Sequence, residues 1–260
     1  MSPIKKDLTI LQGKTFEFSV KWEISPVVYK PITGITQAAP CVVTAVGHGL
    51  PDGWRVAVVS VKGMTQINAS NPPKDSEYVP ATVLTADTIE LNTVNAAEYK
   101  AYISGGYLQY NTPQDLTSYV ARMSVKDKIS PTTAMLWVAS TVYPTGYTII
   151  TSTGTILEAT MGGTSDVVEP TAAGVDGTVT WGAVSSFAGS RELMSLTTAN
   201  TRILIDNATK TITLDIDASD TAAITWRKGI YDLEMESPSG VVTALMYGNV
   251  TITNEVTTGV

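Results

Sequence analysis

The chain has 260 residues, of which 43% are hydrophobic and only 16% charged, and its net charge is −7. One cysteine excludes an internal disulfide framework, and one cysteine with one histidine excludes the usual zinc sites. The acidic balance argues against nucleic acid as a partner, and no run reaches the ~18 apolar residues of a membrane helix. Threonine and valine together make up a quarter of the residues. Both are β-branched, suit a pleated surface and disfavour helix.

Lys5 and Lys6 are followed by no apolar stretch, so no signal peptide is expected. Leu8, Ile10, Phe16, Phe18, Val20 and Trp22 lie at even spacings around Gln12-Gly13-Lys14. This reads as a hairpin with one apolar face, stopped at Ser25-Pro26. A strand pair over 35–46 ends in the turn-rich 47–53, and a strong strand follows over 54–61. Asn71-Pro72-Pro73 marks a loop tip. Short strands are expected over 78–84, 88–91 and 107–110. Short strands with turns every 8–12 residues indicate a small barrel or sandwich.

Alternation resumes at Tyr119, Ala121, Met123 and Val125. The stretch 135–184 is poor in charge and rich in Thr and Gly. A hairpin is expected over 203–216, then one helical turn with Ser219 as N-cap. Ile230, Leu233 and Met235 predict a strand, and Pro238-Ser239-Gly240 turns it into a strand over 241–245. A separate final strand carries Val250 and Ile252.

Residues able to carry chemistry are sparse. His48 stands between two glycines without a readable nucleophile or base beside it, and Cys41 lies in an apolar strand pattern. Asp215 with Asp217, and Glu234 with Glu236, are carboxylate pairs that alternate along strands. Paired carboxylates serve glycosidases, but polar neighbours on the same face make these a solvated surface. No catalytic, cofactor-binding or metal-binding residue is therefore assigned. Trp137, Tyr143 and Trp181 flank the charge-poor segment. Such rings either fill a small core or stack on sugars, and residue type alone leaves both open.

Three blocks carry a family resemblance. The first comprises Asp7-Leu8-Thr9-Ile10, Asp115-Leu116-Thr117-Ser118-Tyr119, Thr211-Ile212-Thr213-Leu214, Tyr231-Asp232-Leu233-Glu234 and Gly248-Asn249-Val250-Thr251-Ile252. It resembles an immunoglobulin-like β-sandwich domain of bacteriophage baseplate and tail-fibre attachment proteins. The second comprises Thr44-Ala45-Val46-Gly47-His48-Gly49-Leu50, Val61-Lys62-Gly63-Met64-Thr65 and Thr85-Ala86-Asp87-Thr88-Ile89-Glu90-Leu91. It is similar to the β-barrel called the first catalytic cysteine half-domain, a scaffold without a nucleophile of its own, which gives Cys41 no catalytic role. The third comprises Trp137, Tyr143, Gly163-Thr164-Ser165, Glu169-Pro170-Thr171 and Asp176-Gly177-Thr178-Val179-Thr180-Trp181. It resembles small chitin-binding-type carbohydrate modules, with Ile156-Leu157-Glu158 and Ala172 standing where two further rings are usual in that family.

Together the resemblances imply an all-β fold: a discontinuous immunoglobulin-like β-sandwich with two inserted small β modules. The sandwich takes 1–29, 111–134 and 188–260, the barrel 30–110 and the small module 135–187. The implied function is that of a non-enzymatic structural protein of a phage virion, in the tail, baseplate or fibre-attachment region. Its partners are other virion proteins and symmetric copies of itself, with no cofactor, nucleic acid or membrane. The alternatives are a module binding host surface polysaccharide through Trp137, Tyr143 and Trp181, and a capsid decoration or collar protein.

Overall fold

A computed structural model describes residues 2–254. Met1 and 255–260, which the sequence reading places in the outer sandwich, lie outside the described residues. Strands hold 48% of the residues and helices 4%, which establishes the all-β sandwich class. Among the described residues the α-helix is the short Ala218–Ala222.

The chain divides into two compact units, each built from separated segments. One comprises Met1–Phe18, Ser118–Leu204 and Leu214–Val260, and the other Ser19–Thr117 and Ile205–Thr213. The second unit holds a seven-stranded antiparallel sheet. Its order is Glu23–Pro31, Tyr107–Pro113, Trp54–Val59, Val79–Val83, Thr88–Leu91, Cys41–Thr44 and Gly34–Ile35. Alternation puts Trp54, Val56, Val58, Leu91 and Leu108 on the inner face, where they pack with Met64 and Cys41. Each large side chain buried in this way contributes about 1.5–3 kcal/mol. Gly106 has φ 90°, and a Cβ there would press on Val61 and the Val59 carbonyl, so the chain can enter its strand only as glycine.

The other unit is built on a sheet in which Ser190–Thr197, Val120–Lys126, Lys228–Glu236 and Val242–Thr253 lie side by side, antiparallel. Ile4–Lys5 and Leu8–Leu11 both add in parallel to Val242–Thr253. Alternate residues such as Leu8, Ile10, Met123, Val125, Leu196, Leu233 and Val250 are buried. At the other side, Thr133–Leu136 pairs in parallel with both Ser190–Thr197 and Thr148–Ile150. The sheet path then continues through Ile156–Met161, Val179–Ala183 and Gly174–Asp176. The stretch expected as a small module thus adjoins the main sheet through one short strand, while keeping a hydrophobic cluster of its own.

Several local expectations need correction. Leu8–Leu11 does not form a hairpin with Phe16–Lys21. The turn at Gly13 exists, with φ 77°, but Leu8–Leu11 pairs with Val242–Thr253, and Phe16–Lys21 joins Thr211–Ile216 and Ile203–Asp206 in a three-stranded sheet. Two apolar-faced strands can find other partners when those bury their faces better. Pro26 does not end its strand. The ladder skips Ser25 and Pro26 where the register shifts between Asn111 and Thr112, and a bulged residue needs no N–H for the ladder.

The expected strand break after Leu245 is also absent. Val242–Thr253 is one twelve-residue strand. On the preceding strand the buried face carries Gly229, Tyr231, Leu233 and Met235, so Ile230 points outward instead. The N-cap is Asp217 and not Ser219.

Candidate functional site

The aromatic site named from sequence lies in the 133–184 region. Ile149, Leu157, Ala159 and Val179 alternate on three antiparallel strands and form one buried face. Trp181 falls on the same face because it lies two residues from Val179. The Tyr143 ring meets Trp181 edge-on, with centroids 5.1 Å apart and planes at 67°. The Tyr147 ring is tilted against Tyr143, with centroids 5.3 Å apart. Trp181 is 2% exposed and Tyr143 4%, while Trp137 is half-buried against the cluster.

Polar atoms of these rings are satisfied internally. The indole N–H groups of Trp137 and Trp181 donate to the same oxygen, Asp176 Oδ2, at 3.2 and 3.0 Å. Asp176 Oδ1 accepts from the Asp166 amide at 2.7 Å. The Tyr143 hydroxyl accepts from the Val138 amide and donates to the Val138 carbonyl. Burial pushes the Tyr143 phenol above its ordinary pKa.

A sugar needs an open ring face, in practice more than one in a common plane. The structure gathers Trp137, Tyr143 and Trp181 as expected, but as a packed cluster tied to Asp176. Tyr143 and Trp181 are buried and fill a small core, one of the two uses that residue type leaves open. The role of Asp176, which organises the cluster, is not legible in the sequence. Its Asp-Gly pair reads as a turn signal and nothing there reveals burial.

The other candidate groups also have structural duties. Gly47 and Gly49, at φ 60° and 67°, turn the loop so that His48 is buried. His48 Nδ1 accepts from the Leu50 amide at 3.0 Å, so Nε2 holds the proton and donates to the Thr85 carbonyl at 3.0 Å. Tyr110 donates its hydroxyl to the His48 carbonyl. Burial pushes the Cys41 thiol up to about 11.

Glu234 and Glu236 both receive Arg122 from the adjacent strand, at 2.8 and 3.4 Å. Exposed pairs of this kind contribute roughly 0.2–1 kcal/mol. Asp215 and Asp217 do not alternate along one strand, because Asp217 already caps the helix. They line a shallow pocket with Asp220, whose carboxylate Arg202 meets at 2.5 Å.

Sequence reasoning missed one feature of this unit, a groove lined by Lys5, Lys126, Lys128 and Tyr247. The available signal was the density of lysine at 5–6 and 126–128. Their convergence depends on a pairing between chain segments more than two hundred residues apart, which spacing does not reveal.

No family model and no curated protein matches the chain. What fold and candidate residues define together is an all-β protein whose His48, Cys41, Tyr143 and Trp181 are held in the packing of the fold.

Proposed function

We propose that the chain is a non-enzymatic structural component of a tailed-bacteriophage particle, in the tail, baseplate or fibre-attachment region, acting through protein–protein contacts. The observation that carries this reading is the apolar exposure of the charge-poor region. Val138, Val142, Met161, Val167, Val168 and Val175 are each more than half exposed. Apolar exposure in a stretch so poor in charge supports a surface that meets other protein. The resemblance of the immunoglobulin-like block to phage baseplate and tail-fibre attachment proteins supports the same class, and phage assemblies are symmetric, so copies of the chain are natural partners.

Two measurements on purified particles test the proposal. Immunoblotting of disrupted particles with antibody to the chain should give a band of at least the 27.6 kDa of these 260 residues. Antibody labelling of intact particles should then mark the tail end or the neck. Label over the capsid lattice would assign the chain to decoration instead. Absence of the band from purified particles would overturn the reading.

A further inference from the structure

The outward face of the large sheet carries a groove of about 470 Å³, within the range of ~300–1,000 Å³ typical of small-ligand sites. Its floor follows from strand register. Lys5, Tyr247 and Asp232 lie opposite one another on three adjacent strands and form one row. Asn249, Ile230 and Lys126 form the next row. Residues directly opposite one another share a face, and so do residues two apart, so both rows look outward. The segment 127–130 stands beside them and brings Lys128 and Ile129, which is 90% exposed.

Gly248 makes this arrangement possible. A Cβ there would overlap the Lys6 carbonyl, so only glycine lets the segment after Lys5 cross so closely. Asp7 then locks it, accepting from both the backbone and the side-chain amide of Asn249 at 2.9 and 3.0 Å. Tyr231 donates its hydroxyl to the Lys6 carbonyl at 2.7 Å. Lys5 is thus fixed at one end of the groove, with Lys126 along the other side and Lys128 beside it, its ammonium also donating to the Ala188 carbonyl at 2.9 Å.

The chemistry of the lining selects a ligand. The protein is acidic overall, with a net charge of −7, yet this groove gathers three lysines and one carboxylate. That local excess calls for an anion. Tyr247 offers a half-exposed ring, and Ile230 an apolar floor beside it. Asp232 and Asn249 add a hydrogen-bond acceptor and an amide oxygen. A run of glutamates would match the lysines but bring neither a pyranose face for Tyr247 nor hydroxyls for Asp232. A neutral sugar would match the ring and the acceptors but leave the lysines unanswered.

We propose that the groove binds an acidic oligosaccharide, with its uronic carboxylates at Lys5, Lys126 and Lys128, a pyranose face on Tyr247 and hydroxyls donating to Asp232. This goes beyond the assembly reading and does not depend on it, because a purified chain suffices to test it.

The experiment is calorimetric titration of the full chain with trigalacturonate, with maltotriose, triglutamate and a sulfated trisaccharide as comparators. Trigalacturonate should bind, and binding should weaken steeply between about 50 and about 300 mM NaCl. The Lys5→Gln/Lys126→Gln variant and Tyr247→Ala should each weaken it by roughly tenfold or more, while Tyr247→Phe retains it. Unchanged circular dichroism and melting of each variant show that the fold survives. Absence of trigalacturonate binding overturns the proposal. So does equal binding of triglutamate or maltotriose, tighter binding of the sulfated sugar, or indifference to the lysine and tyrosine variants.

Discussion

Replacing Asp176 with Ala should destabilise its unit by about 2–4 kcal/mol. Asp176 is 6% exposed, and its two oxygens take three N–H groups, from Trp137, Trp181 and Asp166. The three bonds do not add. The Trp137 indole is half-buried and Asp166 is exposed, so both N–H groups regain water. The Trp181 indole is buried and keeps a donor without a partner, which costs roughly 1–3 kcal/mol by itself. Lost charge-assisted bonding at the other two sites supplies the rest. Asp176→Asn should cost less, about 1–2 kcal/mol, because one amide arm still accepts while the other turns an N–H toward a donor.

A double-mutant cycle isolates the decisive pair. Trp181→Phe keeps a ring in the cluster and deletes the donor, so Asp176→Ala in that background should cost about 1–2 kcal/mol less than in the wild type. Urea unfolding followed by circular dichroism gives the free energies. In a thermal scan the midpoint should fall by about 2–4 °C for each kcal/mol lost. A loss below about 0.5 kcal/mol for Asp176→Ala, or an equal loss in both backgrounds, would refute the view that Asp176 organises the cluster.

Two further outcomes are expected. Cys41 is fully buried and its thiol sits at about 11, so a disulfide reagent at about pH 8 should leave the folded chain untouched and react once urea unfolds it; immediate reaction of the folded chain would contradict its burial. Glu77 is held at about 2, below its ordinary 4.5, first by the Ser70 hydroxyl and then by the Lys74 and Ser70 amides. A depressed carboxylate favours the folded state fully above its ordinary pKa, and that contribution disappears as pH falls from 4.5 towards 2. An NMR titration should place its midpoint at about 2 and Ser70→Ala should raise it; an ordinary midpoint in the unaltered chain would exclude the hydrogen-bonded geometry.

What could be read in the sequence was local. Strands at Cys41–Thr44, Trp54–Val59, Val79–Val83 and Thr88–Leu91 were all expected, because alternation and Gly- or Asp-rich turns bound each of them. Partners were not legible. Alternation tells which face of Leu8–Leu11 is buried, and any strand that covers that face satisfies it. The continuity of Val242–Thr253 was not legible either, since it rests on Gly248, whose lack of a side chain lets the strand run beneath the Lys6 segment. Tyr231 and Ile230 are both apolar enough to face inward, and only the register of Lys228–Glu236 decides between them. The aromatic trio was legible as a group, but its closure was not, since an Asp beside a Gly gives no sign of anchoring two indoles. The lysine groove required the same long-range pairing and stayed hidden with it.

The parallel ladder between Leu8–Leu11 and Val242–Thr253 has a consequence for synthesis. Leu8 waits for Val250 and Ile10 for Ile252, and the bonds from Asn249 to Asp7 span 242 positions. At about 5–20 residues per second, a ribosome delivers the second partner roughly 10–50 s after the first. Through that interval Leu8 and Ile10 emerge without the strand that shelters them, and a chaperone has its longest opportunity here. Vectorial synthesis therefore makes Val242–Thr253 the latch of its unit: strands made early are among the last to be housed.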